Sequence, residues 1–429
     1  MKLTKRLNQT IKPGILSLML LASTVAEGQS VTVYSCYEMA EDLSPLKQKE
    51  IYLSSINSLN QLIQNTHNLP SVTLEASASY QSDVFGLPAS IPGVDFPTIP
   101  RDQYNMSLQV KQKIFDGGVS KASKAIEALD EQVKQNELDV SLYQIRNIIN
   151  ELYFGSLRLH QQEAVLISLL AESENKTSAA RAAFNNGVLL KSELNELAKE
   201  QLKVSQQLVQ VSHAKAATLS ILSTWINREI SAEQLELPTP DVNQSFESID
   251  RPELSLFATR NEKLSAMADL TSTNNTPKLY GFANVGYAQP NPLNFYQTDW
   301  NSYYLVGARL TWGLDWGASK HQKEILLISQ EMTLTEQENF LRQINNDLIK
   351  KKSEIEQMKA TIVLDEQILQ MQNEIVAEAE KQYENGTRSS TDLLTILHEQ
   401  AQLKMNLSIH SIALAQMGVE LLTISGNLP

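Results

Sequence analysis

The chain has 429 residues, with 49 acidic against 36 basic side chains and a formal net charge of −13, which argues against a nucleic-acid partner. Its single cysteine excludes an intrachain disulfide, and its six histidines show no spacing typical of paired metal ligands. The sequence also contains no phosphate-binding glycine loop and no catalytic constellation, so we expect neither an enzyme nor a cofactor.

The first 26 residues have the pattern of a secretory signal peptide. Basic residues precede a short apolar run at 14–22, and Thr24-Val25-Ala26 forms an acceptable cleavage site. We therefore expect an exported protein. No later segment is predicted to be long and apolar enough to span a membrane as a helix, so any spanning part must be a closed β-barrel.

Cys36, shortly after the signal peptide, has two interpretations. It is either a buried structural thiol or a lipid anchor. The preceding Val33-Tyr34-Ser35 is a poor lipobox, which favours the buried thiol. A first helix is predicted at 37–65.

Two strands with strict alternation follow this helix, at 71–82 and 104–114. Apolar residues from Val72 to Tyr80, and again from Tyr104 to Val110, alternate with polar ones. Such alternation over about 10 residues suits a tilted strand in a barrel wall between lipid and water. The loop between the strands is rich in proline and glycine and is predicted to be irregular. The two strands are therefore predicted to form a hairpin.

Two long helical hairpins make up most of the remaining chain. Between Ala318 and Asn385 there is no glycine or proline, and apolar residues recur at steps of three, four or seven, as in coiled coils. In the first half, only Gly155 is expected to disturb the corresponding helix. The predicted order is a signal peptide at 1–26, a first repeat at 27–225, a connector at 226–251, a second repeat at 252–424 and a tail at 425–429. The first repeat contains a short helix, a hairpin at 71–82 and 104–114, a long helix at 119–184 and a return helix at 188–225. The second contains a short helix, a hairpin at 278–289 and 302–312, a long helix at 318–385 and a return helix at 387–423.

These halves match each other as an internal duplication, which is the first thing to look for in a chain of this length. An ordered series of matches at a constant offset is not expected by chance. The matches 199 residues apart include Asp116 and Asp315, Gly118 and Gly317, and Asn186-Gly187 and Asn385-Gly386, whereas those 207 apart include Pro70 and Pro277, and Tyr80 and Tyr287.

The four predicted strands of one chain are too few to enclose a channel. Three chains would supply twelve strands and leave no open edge. Aromatic residues near the strand ends are expected to form girdles at the membrane interfaces. These residues are Tyr80, Tyr104, Tyr287, Tyr303 and Trp312.

The informative charges lie at the turns between the long helices. Gly386 suits a C-terminal helix cap in the left-handed conformation, and Thr391 suits the N-cap of the return helix. Glu193 and Asp392 occupy equivalent places just inside the return helices. They have two interpretations: they stabilise the helix dipole by about 0.3–1 kcal/mol, or they line the narrow end of a ring in which Arg388 pairs with Glu193 of a neighbouring hairpin.

The order of these segments resembles the TolC-type outer-membrane efflux proteins over essentially the whole mature chain. The motifs that carry the resemblance are Phe115-Asp-Gly-Gly118, Phe184-Asn-Asn-Gly187, Tyr383-Glu-Asn-Gly-Thr-Arg388 with Asp392, and Cys36-Tyr-Glu-Met-Ala40.

This resemblance implies a membrane α+β protein: a homotrimer with a 12-stranded antiparallel β-barrel in the outer membrane, continued by a 12-helix α-barrel in the periplasm. It implies a passive exit duct with porin activity for tripartite efflux or type I secretion. A periplasmic adaptor (membrane fusion) protein would open the tip, bound to an inner-membrane pump of the ABC, RND or MFS type. Other copies of the chain and outer-membrane lipid would be its remaining partners.

By position, Tyr383 and Arg388 resemble the gate-locking pair of that family, Glu193 an acidic partner of the lock, and Asp392 an acid of the constriction ring. Thr395 stands where the family pattern has a second acid, which argues against a double acidic ring. The turns expected to contact the adaptor contain Phe184, Asn186, Gly187, Ser192, Asn385, Gly386 and Thr391.

An alternative from another class is a secreted trimeric coiled-coil adhesin or structural fibre. That alternative predicts long heptads without matched, alternating hairpins in each half. A soluble periplasmic enzyme lacks any candidate site. Since a wide hydrated tunnel has no fitted pocket, the sequence does not identify the cargo or the pump.

Overall fold

The computed structural model describes residues 30–84, 98–240, 248–294 and 296–428, so the predicted signal peptide lies outside the described residues. Helices and strands follow the order expected of a duplicated chain. They are α1 Val33–Asp42, α2 Lys47–Thr66, β1 Ser71–Tyr80, β2 Asp102–Phe115, α3 Val119–Tyr143, α4 Ile145–Asn185, α5 Lys191–Ile226, α6 Pro252–Ser272, β3 Lys278–Gln289, β4 Asn301–Thr311, α7 Ala318–Glu384 and α8 Ser390–Ser425.

The strands form one antiparallel sheet in the order β1-β2-β3-β4. Both hairpins pair as the alternation predicts, and β2 also pairs with β3, which joins the two halves of the chain. A bulge between Lys113 and Phe115 shifts the register at the end of β2. Among the described residues, the sheet therefore has two open edges, β1 and β4.

Two helix predictions are corrected by the structure. The first helix, predicted at 37–65, is divided into α1 and α2 around Pro45, which cannot donate a backbone hydrogen bond. Just before the second piece, Ser44 Oγ accepts a hydrogen bond from Leu46 N at 3.2 Å, while the N-cap residue Leu46 has no side-chain cap.

The first long helix, predicted at 119–184, is interrupted at Gln144 and not at Gly155. Asn147 N donates to Gln144 O at 3.2 Å, a bond three residues back, so the helix tightens locally toward the 3₁₀ form. Gly155 lies inside α4 without breaking it, because a helical glycine costs only about 1 kcal/mol.

The described chain divides into two compact units that are not the two sequence repeats. One unit combines the residues up to Met39 with Ile149–Thr239 and Thr361–Gln416. The other combines Ala40–Ile148, Pro240–Ala360 and Met417–Pro429. Each unit thus contains segments from both halves of the duplication.

The core of the first unit includes Cys36, which is fully buried inside α1. Burial raises the pKa of its thiol to about 12, which favours the structural interpretation of this cysteine. Beside it, Tyr153 Oη lies 2.7 Å from the carbonyl oxygen of Val31 and 2.5 Å from that of Glu236. These contacts fix the N-terminal residues against α4.

The second unit contains the sheet and is held by helix packing and polar contacts. Helix α3 packs against α2 and α6. Tyr143 Oη donates to the carbonyl of Thr423 at 2.5 Å, and Lys351 Nζ lies 2.9 Å from Glu420 Oε2. The C-terminal residues of α8 are therefore bound within this unit.

The expectation that no later segment could span a membrane as a helix is wrong for α8 by length and composition. An 18-residue stretch of α8 has a mean hydropathy of 1.4, and 44% of it is buried. Its apolar residues Leu393, Leu397 and Leu421 are core residues. This composition is also that of a core helix.

Candidate functional site

One face of the sheet is apolar and exposed across all four strands. Directly paired residues of antiparallel strands share a face. The row Leu74, Leu108, Val285 and Tyr304 crosses the whole sheet, and each of its side chains is exposed. A soluble protein rarely leaves such a patch in water, so this face marks an interaction with lipid or protein.

The opposite face is polar. Gln109 Nε2 donates to Glu75 Oε2 at 2.6 Å, across the β1–β2 pair. Lys111 Nζ lies 4.4 Å from the ring centre of Tyr280, and the Arg309 guanidinium carbon lies 5.4 Å from that of Phe282. The sheet therefore has one apolar face and one face that carries charged side chains.

Aromatic side chains cluster at one end of the sheet. Trp300 stacks on Tyr104 and Tyr287, with ring centres 5.7 Å and 5.3 Å apart, and Tyr80 is exposed at the same end. Trp312 lies at the other end, where its exposed indole donates to the Asn275 carbonyl at 3.0 Å.

Tyr303 does not belong to this exposed set, which corrects its place among the predicted girdle residues. Its side chain is only 9% exposed and lies on the polar face. Its Oη donates to Asn105 Oδ1 at 2.8 Å. The ring fills the space above Gly286, where an added Cβ would come within 2.6 Å of it.

In the first of the two compact units, the two turns between long helices have the same hydrogen-bond pattern. Gly187 and Gly386 adopt φ of +75° and +71°, as expected for left-handed caps. Val188 N donates to Ala183 O, and Thr387 N donates to Gln382 O, each at 2.9 Å. Both turns are therefore Schellman motifs, in which Phe184, Asn186 and Asn385 take part together with the two glycines.

The return helices begin three residues later than predicted, at Lys191 and Ser390. The predicted cap Thr391 is wrong, because Ser389 Oγ accepts from Asp392 N at 3.1 Å and Thr391 lies inside α8. Ser192 lies in the first turn of α5. Glu193 and Asp392 both occupy the first turn of their helices, where an acid interacts favourably with the dipole.

Tyr383 and Arg388 are both half-buried at the second turn. Tyr383 packs against a buried cluster of apolar residues from α4, α5, α7 and α8 that includes Leu197 and Leu393. Arg388 Nε donates to Gln382 Oε1 at 2.9 Å. Within the described part of the chain, Arg388 and Glu193 form no ion pair with each other.

Sequence reasoning missed the exposed apolar residues of the first turn. Val188 is 80% exposed and Leu190 is also exposed, next to the left-handed Gly187. An apolar pair inside a turn was a visible signal, since turns are normally polar. These residues form a small exposed apolar surface beside the turn.

Together, a four-stranded sheet with an apolar exposed face and two long helical hairpins define the class of the TolC-type outer-membrane channel fold. No protein-family model and no curated protein matches the sequence. The fold is therefore identified by structure. Solved channels of this class match nearly the whole chain.

The CmeC outer-membrane channel of Campylobacter jejuni has 12% identity and a TM-score of 0.66, covering 92% of this chain and 85% of CmeC. The outer-membrane protein VceC of Vibrio cholerae has 14% identity and a TM-score of 0.65, and the match covers 91% of this chain and 96% of VceC. The open-state MtrE outer-membrane channel of Neisseria gonorrhoeae has 14% identity and a TM-score of 0.63, and the match covers 92% of this chain and 89% of MtrE. At these identities the similarity establishes the fold.

Proposed function

We propose that this protein is an outer-membrane exit duct, a passive channel through which a tripartite efflux or type I secretion system releases its cargo. The observation that carries the proposal is the exposed apolar face of the sheet, backed by a charged face on the same strands. Lipid on one side and water on the other satisfy both faces, as in a barrel wall.

A closed barrel also removes the two open sheet edges. In lipid, unpaired backbone groups cost several kcal/mol each, so an open four-stranded sheet is not stable there. Three copies would close twelve strands around a hydrated lumen. A homotrimer is therefore the proposed assembly, and the fibre alternative would leave the apolar face in water.

The long helices form the periplasmic part in this proposal. Their turns would contact an adaptor protein through exposed residues such as Val188 and Leu190, and the adaptor would connect the duct to an inner-membrane pump. CmeC and MtrE, which share the fold, are outer-membrane channels, VceC is an outer-membrane protein, and MtrE has been solved in an open state. An open channel state is thus compatible with this fold.

Tyr383, Arg388, Glu193 and Asp392 are the proposed gate. The packed position of Tyr383 and the Gln382 bond to Arg388 hold this turn in a defined conformation. In a ring of copies, the remaining guanidinium donors of Arg388 can pair with Glu193 of a neighbouring hairpin. Each such pair is weak, so the lock can open.

Membrane fractionation of the chain with its own signal peptide tests this proposal. Expressed in a Gram-negative host, the protein is expected in the outer-membrane fraction and to resist carbonate extraction. Recovery in the soluble periplasm, with the sheet folded, would reject the channel and favour a secreted protein.

A further inference from the structure

The basic residues of the described strands all lie on the polar face of the sheet. Successive residues of a strand point to opposite faces, so the pairing registers assign each side chain to one face. Four basic residues share the face of Gln109 and Tyr280, and we call them the basic band: Lys111, Lys113, Lys278 and Arg309. The one acidic residue of the strands on that face is Glu75, because Asp102 falls on the opposite face.

This charge balance is the reverse of that of the whole chain. The sequence has 49 acidic and 36 basic residues, whereas the polar face of the described strands has one acidic and four basic residues. The excess of positive charge is therefore specific to this face and does not follow from the composition.

The basic band lies at the end of the sheet that continues into the long helices, since its members close β2 and β4 and open β3. Glu75 lies away from it and accepts from Gln109. The residue opposite Lys111 on β1 is Ser71, four positions from Glu75, which is about 13 Å at about 3.3 Å per residue. This distance exceeds the screening length of about 8 Å at physiological salt, so Glu75 has little influence on Lys111.

Two bases of the band are interlaced with two aromatic rings. Lys111 is directly opposite Phe282 in the register, but its Nζ lies over the ring of Tyr280, 4.4 Å from the ring centre. Arg309 is directly opposite Tyr280, but its guanidinium carbon lies 5.4 Å from the ring centre of Phe282. The ring of Phe282 covers Gly307, where an added Cβ would be 2.7 Å from it. The rings therefore hold both exposed bases against the sheet.

An aromatic ring holds a cation without cancelling its charge, which a carboxylate would do. Among the described residues, neither Lys111 nor Arg309 forms an ion pair with a carboxylate. Lys113 is paired, because its Nζ lies 3.5 Å from Asp116 Oδ2. Even if Glu75 neutralises one further base, two bases of the band keep their charge in each chain.

We propose that the basic band makes the proposed duct prefer small organic anions as cargo, through their carboxylate, sulfonate or phosphate groups. The inference rests on the proposed channel, in which the polar face lines the lumen. Three copies would place the band around one level of the lumen, where low-dielectric walls focus its field on a passing solute. Arg309 can bind an oxyanion with two donors, because stacking leaves the donors in the plane of its guanidinium accessible.

Reversal potentials in a KCl gradient across a planar bilayer test the band. The variant Lys111→Gln with Arg309→Gln removes two charges and should lower the chloride-to-potassium permeability ratio by roughly threefold or more, because fixed charges raise the local concentration of counter-ions. Each single variant should shift the ratio less and in the same direction. The matched control, Lys49→Gln with Lys323→Gln, removes two charges from exposed positions on α2 and α7 and should leave the ratio unchanged.

A charge-preserving variant separates the charge of the band from its packing. Lys111→Arg with Arg309→Lys exchanges the two bases and should keep the ratio of the unmodified channel. A loss as large as in the glutamine variant would overturn the proposal, as would an unchanged ratio in the glutamine variant, and the channel itself would stand in both cases. Glu193 and Asp392 at the tip do not affect this comparison, because they are the same in all these proteins.

Binding of pyrenetetrasulfonate, a fluorescent organic anion, to the purified oligomer in detergent tests the band without conduction. Its anisotropy should rise on binding, and the glutamine variant should bind it several-fold more weakly than the unmodified protein. Naphthalenedisulfonate should displace the dye, whereas methyl viologen, an aromatic dication, should not. Equal binding by the two proteins would overturn the proposal. Binding that depends on the band, in a protein that never conducts, would support the anion site and reject the channel.

Discussion

Replacing Arg388 by serine is expected to shift the channel toward its open state. Arg388 is half-buried in the turn, and its Nε bond of 2.9 Å to Gln382 holds the guanidinium in place. The other guanidinium donors remain for Glu193 of a neighbouring hairpin in the proposed trimer. Serine removes both interactions without adding volume.

The size of the shift follows from the weakness of each pair. A partly exposed Arg–Glu pair contributes about 0–1 kcal/mol. In the proposed trimer, three equivalent pairs would hold the tip closed by up to about 3 kcal/mol, and since about 1.4 kcal/mol is a factor of ten, losing them would lower the closed-to-open ratio by up to about two powers of ten.

Single-channel recording in planar bilayers measures this ratio. Glu193→Ala should shift the ratio in the same direction as Arg388→Ser, and the double variant should open no further than Arg388→Ser, because both variants remove the same Arg–Glu pair. Arg181→Ser, an exposed arginine near the end of α4, is the control and should behave like the unmodified channel.

The gate assignment would be refuted by an Arg388→Ser channel whose open probability and conductance are unchanged. Additive effects of Arg388→Ser and Glu193→Ala would refute the pairing while leaving a gating role for each residue.

Three further predictions concern the first compact unit. Leu393→Ala, at a fully buried position, should cost about 2–5 kcal/mol and lower the denaturant midpoint of the helical circular-dichroism signal; an unchanged midpoint would contradict the packing of the tip. Gly386→Ala should cost about 1–2 kcal/mol through strain at φ of +71°, since no neighbouring atom obstructs the new Cβ, and a neutral result in thermal melting would reject the strained cap. The hydrogen bond from Lys215 lowers the pKa of Glu163 below its ordinary value of 4.5, so this pair should add stability above about pH 4.5 that is lost as the pH falls through the lowered pKa. Unfolding midpoints should be measured between pH 6 and pH 3 for the unmodified protein and for Lys215→Met, which lacks the pair. The midpoint should fall less steeply with falling pH in Lys215→Met, and an identical pH dependence of the two proteins would contradict the prediction.

The sheet could be predicted from the sequence because each strand alternates strictly and the two hairpins repeat. The alternation that places Tyr104 on the apolar face also places Met106 and Leu108 there. The antiparallel pairing of β2 with β1, which has its own apolar residues on the same face, agrees with this alternation. The same reasoning failed at Tyr303, because Tyr303 and Tyr304 are adjacent and only one of them can lie on the apolar face. The small Gly286 across the pair, which accommodates the buried ring, decides which one.

The helix ends were harder to predict because several residues could serve the same role. Ser389, Ser390 and Thr391 all carry hydroxyl groups, and only the geometry of the preceding Schellman turn selects Ser389 as the cap. The interruption at Gln144 has no glycine or proline to signal it. The bond from Arg388 to Gln382 depends on the turn that brings residues six positions apart together, which sequence spacing alone does not show.

The central claim is that this chain makes a water-filled path across a membrane, and electrical recording tests it most directly. Purified oligomer added to a planar lipid bilayer should give discrete, stepwise increases in conductance that persist at constant voltage. A folded protein that assembles but inserts without conductance, or does not insert at all, would contradict the claim.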